Sequence, residues 1–168
     1  FEFKPEKGDH SDLVNNVMKA NARAIVIAAP LLDTAQLTVS LRKHGFVGTL
    51  FGGPCMSRQG FVKLAGDAAE GAIFPLLYTP SRKTVQFEKA FFDRSGRYGD
   101  YLSAHTYDTV NLLLEAIRQA GLNRQDIRDE LNALSPWQGI TGIIRWDQQG
   151  SNARSVVAGT VLSGKVKP

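Results

Sequence analysis

Residues 23–53, "RAIVIAAPLLDTAQLTVSLRKHGFVGTLFGG", decide the fold. The opening "RAIVIAA" is a short apolar run rich in β-branched side chains, which reads as a strand buried on both faces. Pro30 ends it. Residues 32–45 then show amphipathic helical spacing and stop at Gly45, a residue suited to the left-handed position that closes a helix. "VGTLFGG" is a second strand of the same kind. Strand, helix and strand at this spacing form a βαβ unit, and such units build parallel sheets with right-handed crossovers.

The same rhythm extends on both sides. "FEF" at the start predicts a short strand. Residues 10–22 predict a helix with Leu13, Val14, Val17 and Met18 on one stripe, capped by Asp9 or Ser11. Residues 57–66 predict a short helix, and 69–78 a strand broken by Pro75, which suits an edge better than a sheet centre. The fold class expected is therefore α/β, a parallel sheet with flanking helices. Near residue 80 the alternation ends. Residues 85–96, 101–121 and 124–134 predict consecutive helices, the second carrying Val110, Leu113, Leu114 and Ile117 at i, i+3, i+4 and i+7. Residues 139–166 predict two strands around the turn Asp147-Gln148-Gln149-Gly150. Three stretches result: an α/β layer over 1–80, helices over 81–137, and a closing hairpin over 138–168.

The composition narrows the partners. The chain has 168 residues and a net charge of +4, with 43% hydrophobic residues. Acids interrupt its bases throughout ("RQDIRDEL", "FEKAFFDRSGR"), so no basic stripe points to nucleic acid. A single cysteine, Cys55, excludes an internal disulfide and a cysteine-rich zinc site. No apolar run approaches the roughly 18 residues of a membrane span. The opening "FEFKPEKG" reads as the interior of a longer chain.

Chemistry-bearing side chains are sparse at the strand ends, where α/β folds place their function. Cys55 lacks a base: His44 lies a strand length away, on the order of 15 Å, and His105 falls among the later helices. His10 could share the edge, with no third group to orient it. Asp9, His10 and Asp12 point in different directions and read as helix-start residues rather than a metal site. "FGGP" lacks the glycine spacing and lysine of a phosphate loop. Asp147 reads as a turn residue; Trp137 and Trp146 read as core, Tyr107 as packing, and Asp108 as a charge near a helix start. No enzyme site, metal or cofactor is expected, and a nucleotide-using α/β enzyme stands as a remote alternative.

The order of the pieces resembles the second half of the leucine/isoleucine/valine-binding type of periplasmic solute-binding protein, the receptors of ABC importers. "HSDLVNNVMKANARAIVIAA", "LTVSLRKHGFVGTLFGG", "FVKLAGDAAEGAIFPLLYTP", "QFEKAFFDRSGRYG", "SAHTYDTVNLLLEAIRQAG" and "GITGIIRWDQQGSN" carry the resemblance in sequence order over nearly the whole chain. It implies two lobes that close on a small solute in the periplasm or outside the cell, with a membrane permease reading the closed form. Residues 1–80 would then belong to the second lobe, 81–137 would return to the first, and 138–168 would lie near the hinge and the second lobe. Amino-acid-binding relatives place a tyrosine after the strand at 23–29 and a glutamate after the strand at 47–53. This chain has Pro30 at the first position and Pro54 or Cys55 at the second. The candidate ligand wall is Pro30, Leu31, Leu32, Pro54, Cys55 and Met56, which suits an apolar or aromatic acid or an amino-acid-like solute. A sensory receptor's ectodomain of the same fold is the alternative. Without most of the first lobe, the helix stripe at Val110–Ile117 would stay wet, so the isolated piece either self-associates through these helices or was cut from a longer folded protein.

Overall fold

The computed structural model describes residue 2 and residues 10–168, and two of the three residues of the strand expected at residues 1–3 lie outside them. The chain forms two compact units. Unit 1 takes residues up to Leu76 and returns for Val157–Pro168; unit 2 is Leu77–Val156. The stretch 138–168 is thus shared between them.

Unit 1 is the α/β layer. Its elements are α1 (Ser11–Lys19), β1 (Ala24–Ile27), α2 (Leu31–Lys43), β2 (Thr49–Gly52), α3 (Gln59–Ala65), β3 (Ile73–Leu76), β6 (Val157–Leu162) and β7 (Lys165–Lys167). The sheet order is β1-β2-β3-β6-β7. The first three strands run parallel, as the βαβ spacing demands. β6 and β7 add antiparallel strands, so the sheet is mixed. His10, without a side-chain cap, holds the N-cap position of α1 where Asp9 or Ser11 was expected.

β3 stands at the sheet centre despite Pro75. Its register with β2 is confined to Phe51 and Ile73, two residues before the proline. The missing N–H therefore falls where β2 asks for no partner, while β6 pairs all along β3. One face of the sheet carries the core: Ile27, Leu50, Phe74 and Val161 pack under α1, α2 and α3 with Val14, Leu37, Leu41 and Phe61. Among the described residues the opposite face is open. The row Val26, Phe51, Ile73 and Thr160 runs across it in register, and Val26 is 75% exposed. β1 is thus covered on one side, against the two-sided burial its composition predicts. Composition records only that a strand wants cover, not whether a second layer is present.

Side-chain staples, one local and one long-range, close the loops of unit 1. Arg42 donates through one nitrogen to the carbonyls of Phe46 and Gly48, at 2.7 and 2.8 Å, drawing the α2–β2 turn shut. Gly45 in that turn has φ +85°, as a helix-closing glycine should. Glu70 accepts the backbone N–H groups of Ser163 and Gly164 and so seats the β6–β7 turn.

Unit 2 contains α4 (Val85–Ser95), α5 (Tyr101–Ala120), α6 (Arg124–Ala133), β4 (Trp137–Gly139) and β5 (Gly142–Ile144). Asp100 caps α5 through a reciprocal box with Ser103. α5 buries Ala104, Asp108, Leu112 and Ala116. The expected stripe lies on another side: Val110, Leu113 and Leu114 are 49%, 40% and 43% exposed. Instead of the one long hairpin read from residues 139–166, there are two short ones, β4–β5 and β6–β7. The turn at Asp147 joins them locally, with Trp146 bridged to Asn152 and the Asp147 carboxylate accepting from Gln149 and Ser151.

Candidate functional site

In unit 1 the carboxyl ends of β1 and β2 open into two loops, Ala28–Pro30 and Gly53–Arg58. Pro30 occupies the N-cap of α2 with φ −56° and ψ 160°. Having no N–H to lose, it starts the helix by accepting from Thr34 N at 2.9 Å. Leu31, the first helical residue, packs on the core. Leu32 faces the α2–α3 flank, where it lines a shallow groove of about 370 Å3 with Val39 and Leu64. After β2, Pro54–Ser57 form one 3-10 turn, braced by Ser57 Oγ donating to Pro54 O at 2.7 Å.

Ala29 joins the two loops. Its carbonyl accepts from Thr34 Oγ1 at 3.0 Å and from Cys55 Sγ at 3.8 Å, and the hydroxyl and thiol lie 3.7 Å apart. This contact brings the loop of Pro30 beside the loop of Pro54 and Cys55. Of the expected wall, Leu32 turns to the flank and Met56 lies underneath.

Met56 is 0% exposed and belongs to the core. Its thioether lies against Gly52: a Cβ there would stand 2.5 Å from Met56 Cε. Gly52 ends β2 without a side chain, and the flexible methionine fills the space it leaves. Met56 therefore supports the loop from beneath instead of facing a ligand.

Among the described residues, Cys55 bonds to a hydroxyl and a carbonyl, not to a base. His44 is exposed and bonded to Ser40 O at 2.8 Å. His10 is buried and faces Asp33, also buried, with Nε2 and Oδ1 3.6 Å apart. Asp9 lies outside the described residues, and Asp12 is exposed. The carboxylate beside His10 is thus one that lies 23 positions away, where no sequence spacing could point. Among the described residues, no group of three or more metal-type ligands converges.

Unit 2 holds a second polar arrangement that sequence reading misplaced. Asp108 is not at a helix start; it lies two turns into α5 and is buried. Its carboxylate accepts from Ile140 N and Thr141 N, both at 2.8 Å, and from Thr141 Oγ1 at 2.6 Å. A Cβ on Gly139 would collide with that carboxylate, so glycine is required where the hairpin meets α5. Arg154 extends the arrangement, donating through Nη1 to Thr141 O and through Nη2 to Leu77 O at 2.9 Å. Trp137 Nε1 donates to Glu115 and Trp146 Nε1 to Leu131 O, so both indoles are held as structural groups.

Tyr78 donates to Glu88 Oε1 at 2.5 Å, and Gly99 N donates to the other oxygen. Burial, reinforced by the bond to Glu88, pushes the Tyr78 phenol well above its usual range. The fold thus favours the neutral phenol. Its contribution is complete below the unfolded value of about pH 10 and is lost as pH rises beyond it. Alkaline titration of unit 2 should show this loss, and Tyr78→Phe should flatten that limb. An unchanged alkaline limb in the variant would rule the phenol out as its source.

The profile of the periplasmic binding protein family matches residues 1–165. A leucine-binding protein of Thermotoga maritima shares 28% identity and a TM-score of 0.85, over 98% of this chain and 49% of its own. A putative branched-chain amino acid ABC transporter protein of Rhodospirillum rubrum shares 26% identity and a TM-score of 0.77, over 99% and 50%. The substrate-binding protein of a branched-chain amino acid transporter from Streptococcus pneumoniae, in complex with isoleucine, has the same fold, with 22% identity, a TM-score of 0.84, and coverage of 99% and 49%. The chain spans about half the length of these structures. No curated protein matches it. The matched family and these neighbours are binding proteins rather than enzymes. By its fold and a profile that runs almost from end to end, the chain belongs to the periplasmic binding protein family.

Proposed function

We propose that this chain forms part of the extracytoplasmic solute-binding component of an ABC importer. The ligand is a small apolar or aromatic acid or an amino-acid-like solute. The observation that carries the reading is the family match over residues 1–165. The rim supports it: Cys55 Sγ reaches the Ala29 carbonyl, which brings the loop of Pro30 and Leu31 beside the loop of Pro54 and Cys55, a rim of mainly apolar residue types. Apolar walls of this kind supply affinity, while a few polar groups fix orientation. Leu32 borders this surface from the flank, and Met56 holds it from below.

On this reading residues 1–80 serve the second lobe, 81–137 return to the first, and 138–168 run near the hinge and the second lobe. The site is extracytoplasmic, and among the described residues no helix is long and apolar enough to cross a membrane. A permease in the membrane is the partner of the closed, loaded protein. The open face of α5 invites self-association when the chain is produced alone.

The test is a thermal-shift series on the full-length protein with small carboxylates and branched or aromatic amino acids. A ligand at about a hundred times its Kd stabilises by roughly 2.7 kcal/mol. Cys55→Arg places a long charged side chain on the rim and should remove that shift while the unliganded melting point holds. A full shift in Cys55→Arg takes the rim out of the site; no shift with any solute class argues against the ligand chemistry.

A further inference from the structure

We infer that Arg154 is a positioning residue of the hinge. Its guanidinium clamps both passages of the chain at their unit 2 ends, so that lobe closure bends little more than Ser155 and Val156. The closing motion rests on the importer reading above; the clamp itself is read from unit 2.

The chain passes between the units at Leu76–Leu77 and again at Val156–Val157. On the unit 1 side the two passages are fastened to each other, because Leu76 of β3 pairs with Val157 of β6. On the unit 2 side the fastening is Arg154. Its Nη2 donates to the carbonyl of Leu77 at 2.9 Å, and its Nη1 to the carbonyl of Thr141. Three stretches of chain, at 77, 141 and 154, therefore meet on one planar group. A guanidinium presents its donors as a rigid fork, which an ammonium cannot do. Gly142 leaves the fork its room, since a Cβ there would stand 3.1 Å from Nη1. Among the described residues no carboxylate pairs with this cation, so its donors serve the backbone.

What the fork grips is itself fixed. Thr141 is held by the buried Asp108 carboxylate. Leu77 is followed by Tyr78, which is buried and bonded to Glu88. Arg154 follows the Asp147 turn, which Ala153 N closes by donating to Arg145 O at 2.8 Å. The first passage is thus anchored on both sides with no residue to spare, at Leu76 and at Leu77. The second keeps only Ser155 and Val156, both exposed and outside any strand. Without the fork, the anchors withdraw to Tyr78 on one passage and Ala153 on the other. Leu77 and residue 154 then join the slack. Hinges are short stretches at element ends that absorb backbone rotation. Each added free residue widens the range of open arrangements that closure must give up.

The test is double electron–electron resonance on the full-length protein, with spin labels at Asn16 in unit 1 and Arg124 in unit 2. The labels are attached through a ketone-bearing amino acid, which leaves Cys55 untouched. Without solute, Arg154→Gln should broaden the distribution of distances between the labels. Arg154→Lys keeps the charge but not the fork and should fall between the two, and it carries the test if Arg154→Gln does not fold. Benzoate, phenylalanine and isoleucine serve as solutes. The one that raises the wild-type melting point should bind Arg154→Gln about tenfold more weakly, the order expected when one more residue's backbone must be fixed on closure. A brace of unit 2 alone would lower the melting point and speed exchange at the Thr141 amide without changing the width. A wild-type width in both variants therefore overturns the inference, whatever their melting points. A broader distribution in the variants supports the clamp even where none of the three solutes narrows the wild-type distribution, a result that counts against the importer reading alone.

Discussion

Met56→Lys is expected to unfold unit 1. The methionine is completely buried in the core. Burial of such a side chain contributes about 1.5–3 kcal/mol, which the substitution forfeits in part. The larger cost is the ammonium, which costs several kcal/mol to bury unpaired. A domain has only about 5–15 kcal/mol to lose. Amide exchange should therefore show the strands β1, β2 and β3 losing protection in the variant. Met56→Leu, which keeps volume and hydrophobicity, should cost under about 1.5 kcal/mol and retain protection. Wild-type protection in Met56→Lys would mean that the residue reaches solvent, and would restore it to the ligand wall.

Asp108→Ala carries the second large effect, in unit 2. The substitution strands two backbone N–H groups and one hydroxyl that now converge on a single carboxylate. Each unsatisfied buried donor costs about 1–3 kcal/mol. The sum is on the order of 3 kcal/mol or more, enough to lower the melting point of a unit this size by roughly 10–20 °C. Asp108→Asn keeps one acceptor but points an N–H2 group at other donors, so it should fall between wild type and alanine. Calorimetry measures the cost, and exchange at Ile140 and Thr141 locates it. A variant that melts within a degree or two of wild type would show that water replaces the carboxylate without loss.

Both predictions rest on residues whose importance the sequence did not announce. Met56 stands in "PCMS" beside Pro54 and Cys55, and its neighbours gave no sign that it turns inward. That direction follows from Gly52, whose missing side chain leaves the space. Asp108 looks like a helix-start charge because it follows Tyr107 at the head of an apolar run. Its partners, Ile140 and Thr141, lie more than 30 positions away, and periodicity reports only which face of a helix a residue occupies.

What was legible came from local chemistry. The β1-α2-β2 unit followed from apolar runs of strand length broken by a proline and a glycine, because those residues restrict or free the backbone at their own positions. The family resemblance followed from the order of such pieces, and the turn at Asp147 from the habit of aspartate in turns. Tertiary structure alone decided the rest. It set the pairing of β6 and β7 against a parallel core, the tolerance of Pro75 at the sheet centre, and the meeting of His10 with Asp33. It also split 139–166 into two hairpins shared between two units. Each of these depends on which surfaces meet across long stretches of chain. A sequence states its backbone preferences residue by residue, but a contact between distant residues exists only once the packing has been chosen.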